Sequence, residues 1–316
     1  MINEGIVHVR TKEEQRAYRR RVIRRNVIGT LMAAPPFIGF VLFGLIPMAV
    51  SLWISFTDLH TTMIEYATPT GLRNYIRVFK DPLTLLAFEN SLVYCLSVPI
   101  NLGTSLFLAN ILYSRKVFGD KVLRILFFLP QVCAGTAVTL MFSWILNEDF
   151  GMVNTVLRQM NLPTFHPYTN ADHFLPGVLL ISLWKDGMYI VLLQSALNNV
   201  NVSLQEAARI DGASEMQVFW KITFPGISPT LFYQFTMGFI AAAQEMSVMN
   251  ILTGGGTGPG YKALTVSYYL YRMVGNAWVH TYGYGMSCAM SWVFAVVVII
   301  ITRVSFKISD KWVKYE

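Results

Sequence analysis

The sequence predicts an all-α membrane protein with six transmembrane helices and both termini in the cytoplasm. Composition is the first reason: of 316 residues, 54% are apolar and only 14% charged, where a soluble domain carries about 25% charged residues. The second is six apolar runs, each near the ~20 residues that span a bilayer as helix. The third is the placement of the 25 Lys and Arg. Eighteen of them fall on one side of those runs, between Arg10 and Arg25, Arg115 and Arg124, at Arg209 and Lys221, and between Arg303 and Lys314. Six fall on the other: Arg73, Arg77, Lys80, Arg158, Lys262 and Arg272. Such an excess marks the cytoplasmic face. The alternative, a large soluble protein with six buried helices, does not account for runs free of charge over a full span.

Along the chain, residues 1–26 form a basic segment in which Arg16–Arg25 abuts the first span. A cluster there fixes orientation and touches anionic lipid, so the net charge of +7 does not indicate nucleic acid. The segment is charged rather than apolar, which is unlike a cleavable signal peptide. The first span, near Val27–Phe56, carries Pro35, Pro36 and Pro47 and should tilt or kink, because proline removes a donor and crowds the preceding turn. The second and third runs lie near Asn90–Tyr113 and Ile125–Leu146, with a short outer helix expected over Asn154–Met160. The fourth and fifth, near Phe174–Leu197 and Ser228–Leu252, flank the longest cytoplasmic loop. Outside the fifth, Gly254–Gly260 reads as a tight glycine turn. Tyr268, Tyr269, Tyr271 and Trp278 then supply the aromatic type found at membrane interfaces, read as interfacial packing rather than a ligand cage. The sixth run lies near Tyr282–Thr302.

Several chemistries are excluded. Cys95, Cys133 and Cys288 sit in or beside apolar runs and form no disulfide framework. None of the five His residues belongs to an H-E-x-x-H pair, so an intramembrane zinc protease is not expected and no metal ligands are assigned. Gly285-Met-Ser287 has no buried His as base and reads as small-residue helix packing. Gly254–Lys262 lacks the Gly-Lys-Ser/Thr ending of a phosphate-binding loop. No catalytic residues are assigned, and no nucleotide site.

The informative segment is Asn201–Pro225. Ser203-x-x-Glu206 reads as a capping box that starts a helix, about Leu204–Asp211. Gly212 suits the left-handed residue that ends it. Ser214-x-x-Gln217 repeats the cap, and a second short helix should run to about Ile222 before Pro225 ends it. Leu204, Ala207 and Ala208 share one face, as do Val218, Phe219 and Ile222. From the residues alone, this is equally a capped hairpin joining two spans or a stiff bracket for another protein.

The segment resembles the E-A-A loop of binding-protein-dependent ABC importer permeases, through Glu206-Ala207-Ala208, Asp211-Gly212-Ala213-Ser214, Phe219, Ile222 and Pro225. Gly71–Tyr75 with Asp81-Pro82, Arg124 with Leu129-Pro130, Gly151 with Asn154, Trp184-Lys185 and Thr253–Gly256 resemble the sugar-type branch, and the likeness covers roughly residues 30–306. Gly256 stands where the family often has Pro, and Phe224 where Leu is commoner. The resemblance implies a type I importer bundle in a bacterial inner membrane: residues 1–26 cytoplasmic, 27–306 the permease domain with coupling loop 198–227, and 307–316 a tail. It implies a second permease subunit, two copies of a cytoplasmic ATPase that bind ATP and Mg, and an extracytoplasmic solute-binding protein. Glu206, Ala207, Ala208, Arg209, Asp211, Gly212, Ala213, Phe219, Ile222 and Pro225 would serve ATPase coupling. The substrate class implied is a sugar, oligosaccharide or polyol, with glycerol phosphate esters as an alternative.

Ionisable residues inside spans are functional candidates. Lys185 and Asp186 fall in the fourth span and Glu245 in the fifth, with Trp184, Gln244 and Asn250 nearby. These six are candidates for the substrate path, against a structural reading in which Lys185 and Glu245 form an ion pair. Two rival classes are a self-sufficient secondary transporter, which should show internal repeats around midplane ion sites, and a membrane-embedded enzyme, which should show an acid/base cluster.

Overall fold

The computed structural model describes residues 12–113, 120–185, 187–275 and 279–313. Among these the ordered elements are helical, apart from one isolated bridge between Thr57 and Pro69. In order they are α1 (Lys12–Phe40), α2 (Ile46–Ser55), α3 (Arg73–Lys80), α4 (Pro82–Cys95), α5 (Ser97–Tyr113), α6 (Asp120–Val132), α7 (Gly135–Ile145), α8 (Met152–Gln159), α9 (Ala171–Trp184), α10 (Gly187–Asn199), α11 (Val202–Ile210), α12 (Glu215–Val218), α13 (Phe224–Ala243), α14 (Ser247–Leu252), α15 (Val266–Val274) and α16 (Val279–Ser309). The chain divides into two units, Met1–Ile54 and Ser55–Glu316.

The first unit is a helical arm whose segment Val22–Ser55 is long and apolar enough to cross a membrane. Pro35 and Pro36 lie inside α1. Between α1 and α2 the winding widens to a π turn over Val41–Leu45, closed by the Ile46 N–H on the Val41 carbonyl. That turn ends two residues before Pro47, whose ring would otherwise press on the carbonyl four positions back.

In the second unit, Pro82–Tyr113 and Thr281–Ser309 are also long and apolar enough to span. Two bent helix pairs are long and apolar enough to span when each pair is taken together. Val122–Val132 and Gly135–Ile145 meet at 101°, and Ala171–Trp184 and Gly187–Asn199 at 50°. The third expected span is therefore not a straight rod. The stretch expected as the fifth is α13, broken at Gln244–Met246 and resumed as α14. Asp81 caps α4, accepting from the Thr84 N–H at 3.0 Å, and Pro82 occupies the first turn, where no N–H is needed. The expected outer helix is present as α8.

Two cores hold this unit. One joins α5, α10 and α13 through Ala109, Leu112, Leu193, Leu197, Ile227 and Leu231. The other gathers Phe174, Met249, Leu264, Met273 and Met290 with Tyr268 and Tyr269, both fully buried. This corrects the interfacial reading of the aromatic segment for those two residues, which pack inside the protein, while Tyr271 is half exposed. Trp278 lies outside the described residues. The Tyr269 O–H donates to Asp81 Oδ2 at 2.7 Å, and burial, then that bond, pushes its phenol pKa up.

Glu148 organises the segment between α7 and α9. Its carboxylate accepts from the Tyr168 and Thr169 N–H groups and from Thr169 Oγ1. Burial and the Glu148 charge push the Tyr168 phenol up to about 12. Asn154 accepts from the Phe165 N–H and donates to its carbonyl, both at 2.7 Å. A side chain at Gly151 would strike the Asn147 and Ile145 backbone. Gly151 and Asn154 thus shape this loop.

Candidate functional site

The loop between α10 and α13 is built from its caps. α11 starts earlier than expected: Asn201, not Ser203, is the N-cap, its side chain accepting from the Ser203 N–H at 2.9 Å. The chain leaves α10 through a turn at Val200, which delivers Asn201 in the extended conformation a cap requires. Ser203 and Glu206 are ordinary exposed helical positions. Gly212 has φ +83°, and the Ala213 N–H closes on the Ala208 carbonyl at 2.9 Å, the six-to-one bond of a Schellman ending. Ser214 and Gln217 form the expected capping box for α12.

Pro225 does not end the second helix. α12 widens into a π turn over Phe219–Thr223, the Phe224 N–H bonding to the Phe219 carbonyl, and winding continues into α13 with Pro225 in its first turn. The helical path is therefore continuous from Glu215 to Ala243. Ile222 and Phe224 pack on the α5–α10–α13 core, and Phe219 stacks edge-on against Trp220.

Most of α11 faces outward. Leu204, Glu206, Ala207, Arg209 and Ile210 are exposed, Ile210 at 86%, and Ala208 is half-buried. Asp211 and Gly212 are exposed and Ala213 is half-buried. Arg209 donates to Glu215 through Nε at 2.7 Å and Nη2 at 3.1 Å, tying the two short helices together on the surface. The loop thus presents a small-residue helix with one large apolar side chain at its end, held at a fixed angle.

A second site lies where α4, α5, α9, α10 and α13 meet. A cavity of about 190 Å³ is lined by Tyr94, Ser97, Asn101, Ser182, Lys185, Tyr189, Gly238 and Glu245, among others. Lys185 Nζ donates to Thr139 Oγ1 at 3.4 Å. Glu245 sits in the break after α13, its Oε1 accepting from the Val248 N–H at 3.0 Å and its carbonyl from Thr265 Oγ1 at 3.1 Å. Among the described residues no ion pair joins Lys185 to Glu245. Asn101 and Ser182 exchange hydrogen bonds across the α5–α9 contact. Gly238 leaves room for the Tyr189 hydroxyl, which a side chain there would displace.

Of the six path candidates, the structure brings Lys185 and Glu245 to one cavity. Trp184 packs on Phe142 and is 52% exposed, Gln244 is exposed, and Asn250 accepts from the Tyr268 O–H at 3.4 Å; none of these three lines the cavity. Asp186 lies outside the described residues. Sequence reading missed Tyr94, Ser97, Asn101, Ser182 and Tyr189. The available signal was Ser97, Asn101 and Ser105 at four-residue spacing, a polar stripe on an otherwise apolar helix. Among the described residues, no group of three or more His, Cys, Asp and Glu is placed to hold a metal ion.

Charge-neutral changes separate the roles of the charged pair. Glu245→Gln keeps an acceptor for the Val248 N–H, so assembly should persist and substrate affinity shift. Lys185→Met should weaken uptake by roughly tenfold, the scale of one lost charge-assisted hydrogen bond. Transport assays over a substrate series, alongside purified yield, check both. Lost yield with unchanged affinity would assign the pair a structural role.

The chain is similar to known proteins over most of its length. A family model described as "Binding-protein-dependent transport system inner membrane component" matches residues 101–315. The chain is 34% identical over 303 residues to "Probable ABC transporter permease protein YesP" of Bacillus subtilis (strain 168), covering 94% of this chain and 95% of the relative. It is 28% identical to "Sulfoquinovosyl glycerol transport system permease protein SmoG" of Agrobacterium fabrum, covering 86% and 88%. A chain of the crystal structure of a bacterial alginate ABC transporter in complex with an alginate pentasaccharide-bound periplasmic protein superposes with a TM-score of 0.78 at 22% identity, covering 92% of this chain and 96% of that one.

Proposed function

Because this chain belongs to the binding-protein-dependent transport system inner membrane components, we propose that it is one permease subunit of an ATP-driven importer for a carbohydrate. All-helical architecture of the type I permease fold and the sugar-type relatives support that reading. In it, six spans cross a bacterial inner membrane with both termini cytoplasmic. A second permease chain completes the path, and an extracytoplasmic binding protein delivers the ligand. The permease domain is 27–306, flanked by the basic segment 1–26 and the tail 307–316. Two copies of a cytoplasmic ATPase bind ATP and Mg, and this chain performs no catalysis.

The observation that carries the proposal is the outward face of α11, fixed by the Asn201 cap and the Gly212 turn and left uncovered by its own chain. A rigid, small-residue helix of this kind can seat in a cleft of a partner without reordering. Its second end continues through α12 into α13, which lines the cavity with Gly238, Ala241 and Ala242. Movement of the loop is thereby geared to a wall of the path, which is a two-state bundle biased from one end.

Lys185 in the cavity favours a second reading within the same class, an acidic ligand such as a glycerol phosphate ester, for which the ammonium is a counter-charge. The experiment is reconstitution in proteoliposomes. Co-purification with an ATPase and uptake that requires internal ATP and external binding protein are expected. Uptake driven by an ion gradient with no ATPase present would establish a secondary transporter instead.

A further inference from the structure

α11 is nearly all surface, and one side chain anchors it. Gln205 is 4% exposed, the buried residue of that helix, at the base of a groove of about 1020 Å³. Its Nε2 donates to Thr223 Oγ1 at 3.4 Å, and Thr223 is itself 5% exposed. Thr223 is the last residue of the π turn, and Phe224, next in the chain, begins α13. A second side-chain tie, Arg209 to Glu215, joins α11 to α12 in the open, where the pair's exposures are 42% and 77%. Solvent screens such a pair and leaves it compliant. A hydrogen bond removed from water is stronger, and costly to leave unmade.

We propose that Gln205 is a positioning residue for transport: through Thr223 it transmits displacement of α11 to α13, and so to the cavity wall at Gly238 and Glu245. The proposal rests on the reading of α11 as the ATPase-docking element. The π turn suits this role, because a residue at a widened turn can shift its register while the helices on either side stay wound. Gln205 and Thr223 are both buried within this chain, so the link is internal to the subunit.

The test uses the assembled transporter with its ATPase and binding protein in proteoliposomes, and reads substrate imported per ATP hydrolysed. Gln205→Met keeps length and apolar packing but removes the donor. Thr223→Val keeps shape but removes the acceptor, and Thr223→Ser restores it. Uptake per ATP should fall roughly tenfold in the first two, the effect of one unmade buried hydrogen bond, and the double variant should be no worse than either single. Thr223→Ser should stay within about twofold of the parent, since it keeps the acceptor. A merely structural role would lower assembled yield and leave the ratio untouched, so an unchanged ratio overturns the proposal. If Gln205→Met fails to assemble, the Thr223→Val and Thr223→Ser pair decides alone. A cysteine at position 210, made as Ile210→Cys, is cross-linked to the ATPase in parallel. No cross-link means the docking reading has failed, whereas a cross-link with an unchanged ratio means only the Gln205–Thr223 link has.

Discussion

Replacing Gly285 with valine should destabilise the folded subunit by about 3 kcal/mol or more, combining overpacking against backbone with broken buried hydrogen bonds. A side chain there runs into the Thr57 carbonyl and, at 2.7 Å, the Asn74 amide nitrogen. That amide is already committed, donating to the Ser55 and Thr57 carbonyls at 2.9 and 2.8 Å. The segment before it is equally fixed. Gly283 has φ +72°, and the Tyr284 and Gly285 N–H groups converge on the Leu59 carbonyl at 2.7 and 3.3 Å. Backbone on both sides cannot retreat, so α16 must separate from the Thr57–Leu59 segment. Thermal melting of the detergent-purified subunit checks this, with Gly103→Ala as control, where an added side chain meets nothing within 4 Å. Equal melting of the Gly285 variant and the control would contradict the packing described.

Gly212→Val should cut uptake by tenfold or more while the subunit still inserts and assembles. An added Cβ at Gly212 meets nothing within 4 Å, so the substitution acts through the backbone alone. At φ +83° an L-residue pays roughly 1–2 kcal/mol, and a β-branched one more. The loop escapes that strain by abandoning the Schellman ending, which re-aims α11 relative to α12. Asn tolerates the left-handed region, so Gly212→Asn should retain most uptake. Vesicle uptake and membrane yield of the two variants are the measurements. Full uptake by the valine variant would remove the loop angle from the transport mechanism.

Local chemistry was readable before any coordinates. Gly212, the Ser214–Gln217 box and the glycine turn after Leu252 each depend on residues within six positions, and each is where the sequence placed it. Gly285 was read as small-residue packing, but what it packs against, the Thr57 backbone and the Asn74 amide, lies more than 200 residues away and was not legible. What escaped depends on distant neighbours. Two residues could cap α11, and the exit path from α10 chose Asn201 over Ser203. Proline rules stop a helix at Pro225, but a wider turn absorbs the clash and winding goes on. An apolar run carries no mark of a 101° bend, because lipid and protein neighbours select the same side chains. Tyr268 and Tyr269 illustrate this: aromatic composition does not distinguish a bilayer surface from a protein interior, and only tertiary packing put both inside. Lys185 and Glu245 were legible as charges within spans, whereas the cavity they share draws its polar wall from Ser, Asn and Tyr side chains on α4, α5, α9 and α10.

Val41–Leu45 and Phe219–Thr223 each hold one residue more than α winding needs, and each ends two residues before a proline. The surplus residue and the ring are two halves of one accommodation. Relatives lacking the proline should be one residue shorter at the same place, and relatives keeping it should keep the extra length. Single-residue gaps in this family ought therefore to track proline usage at those two positions, rather than scatter along the helices.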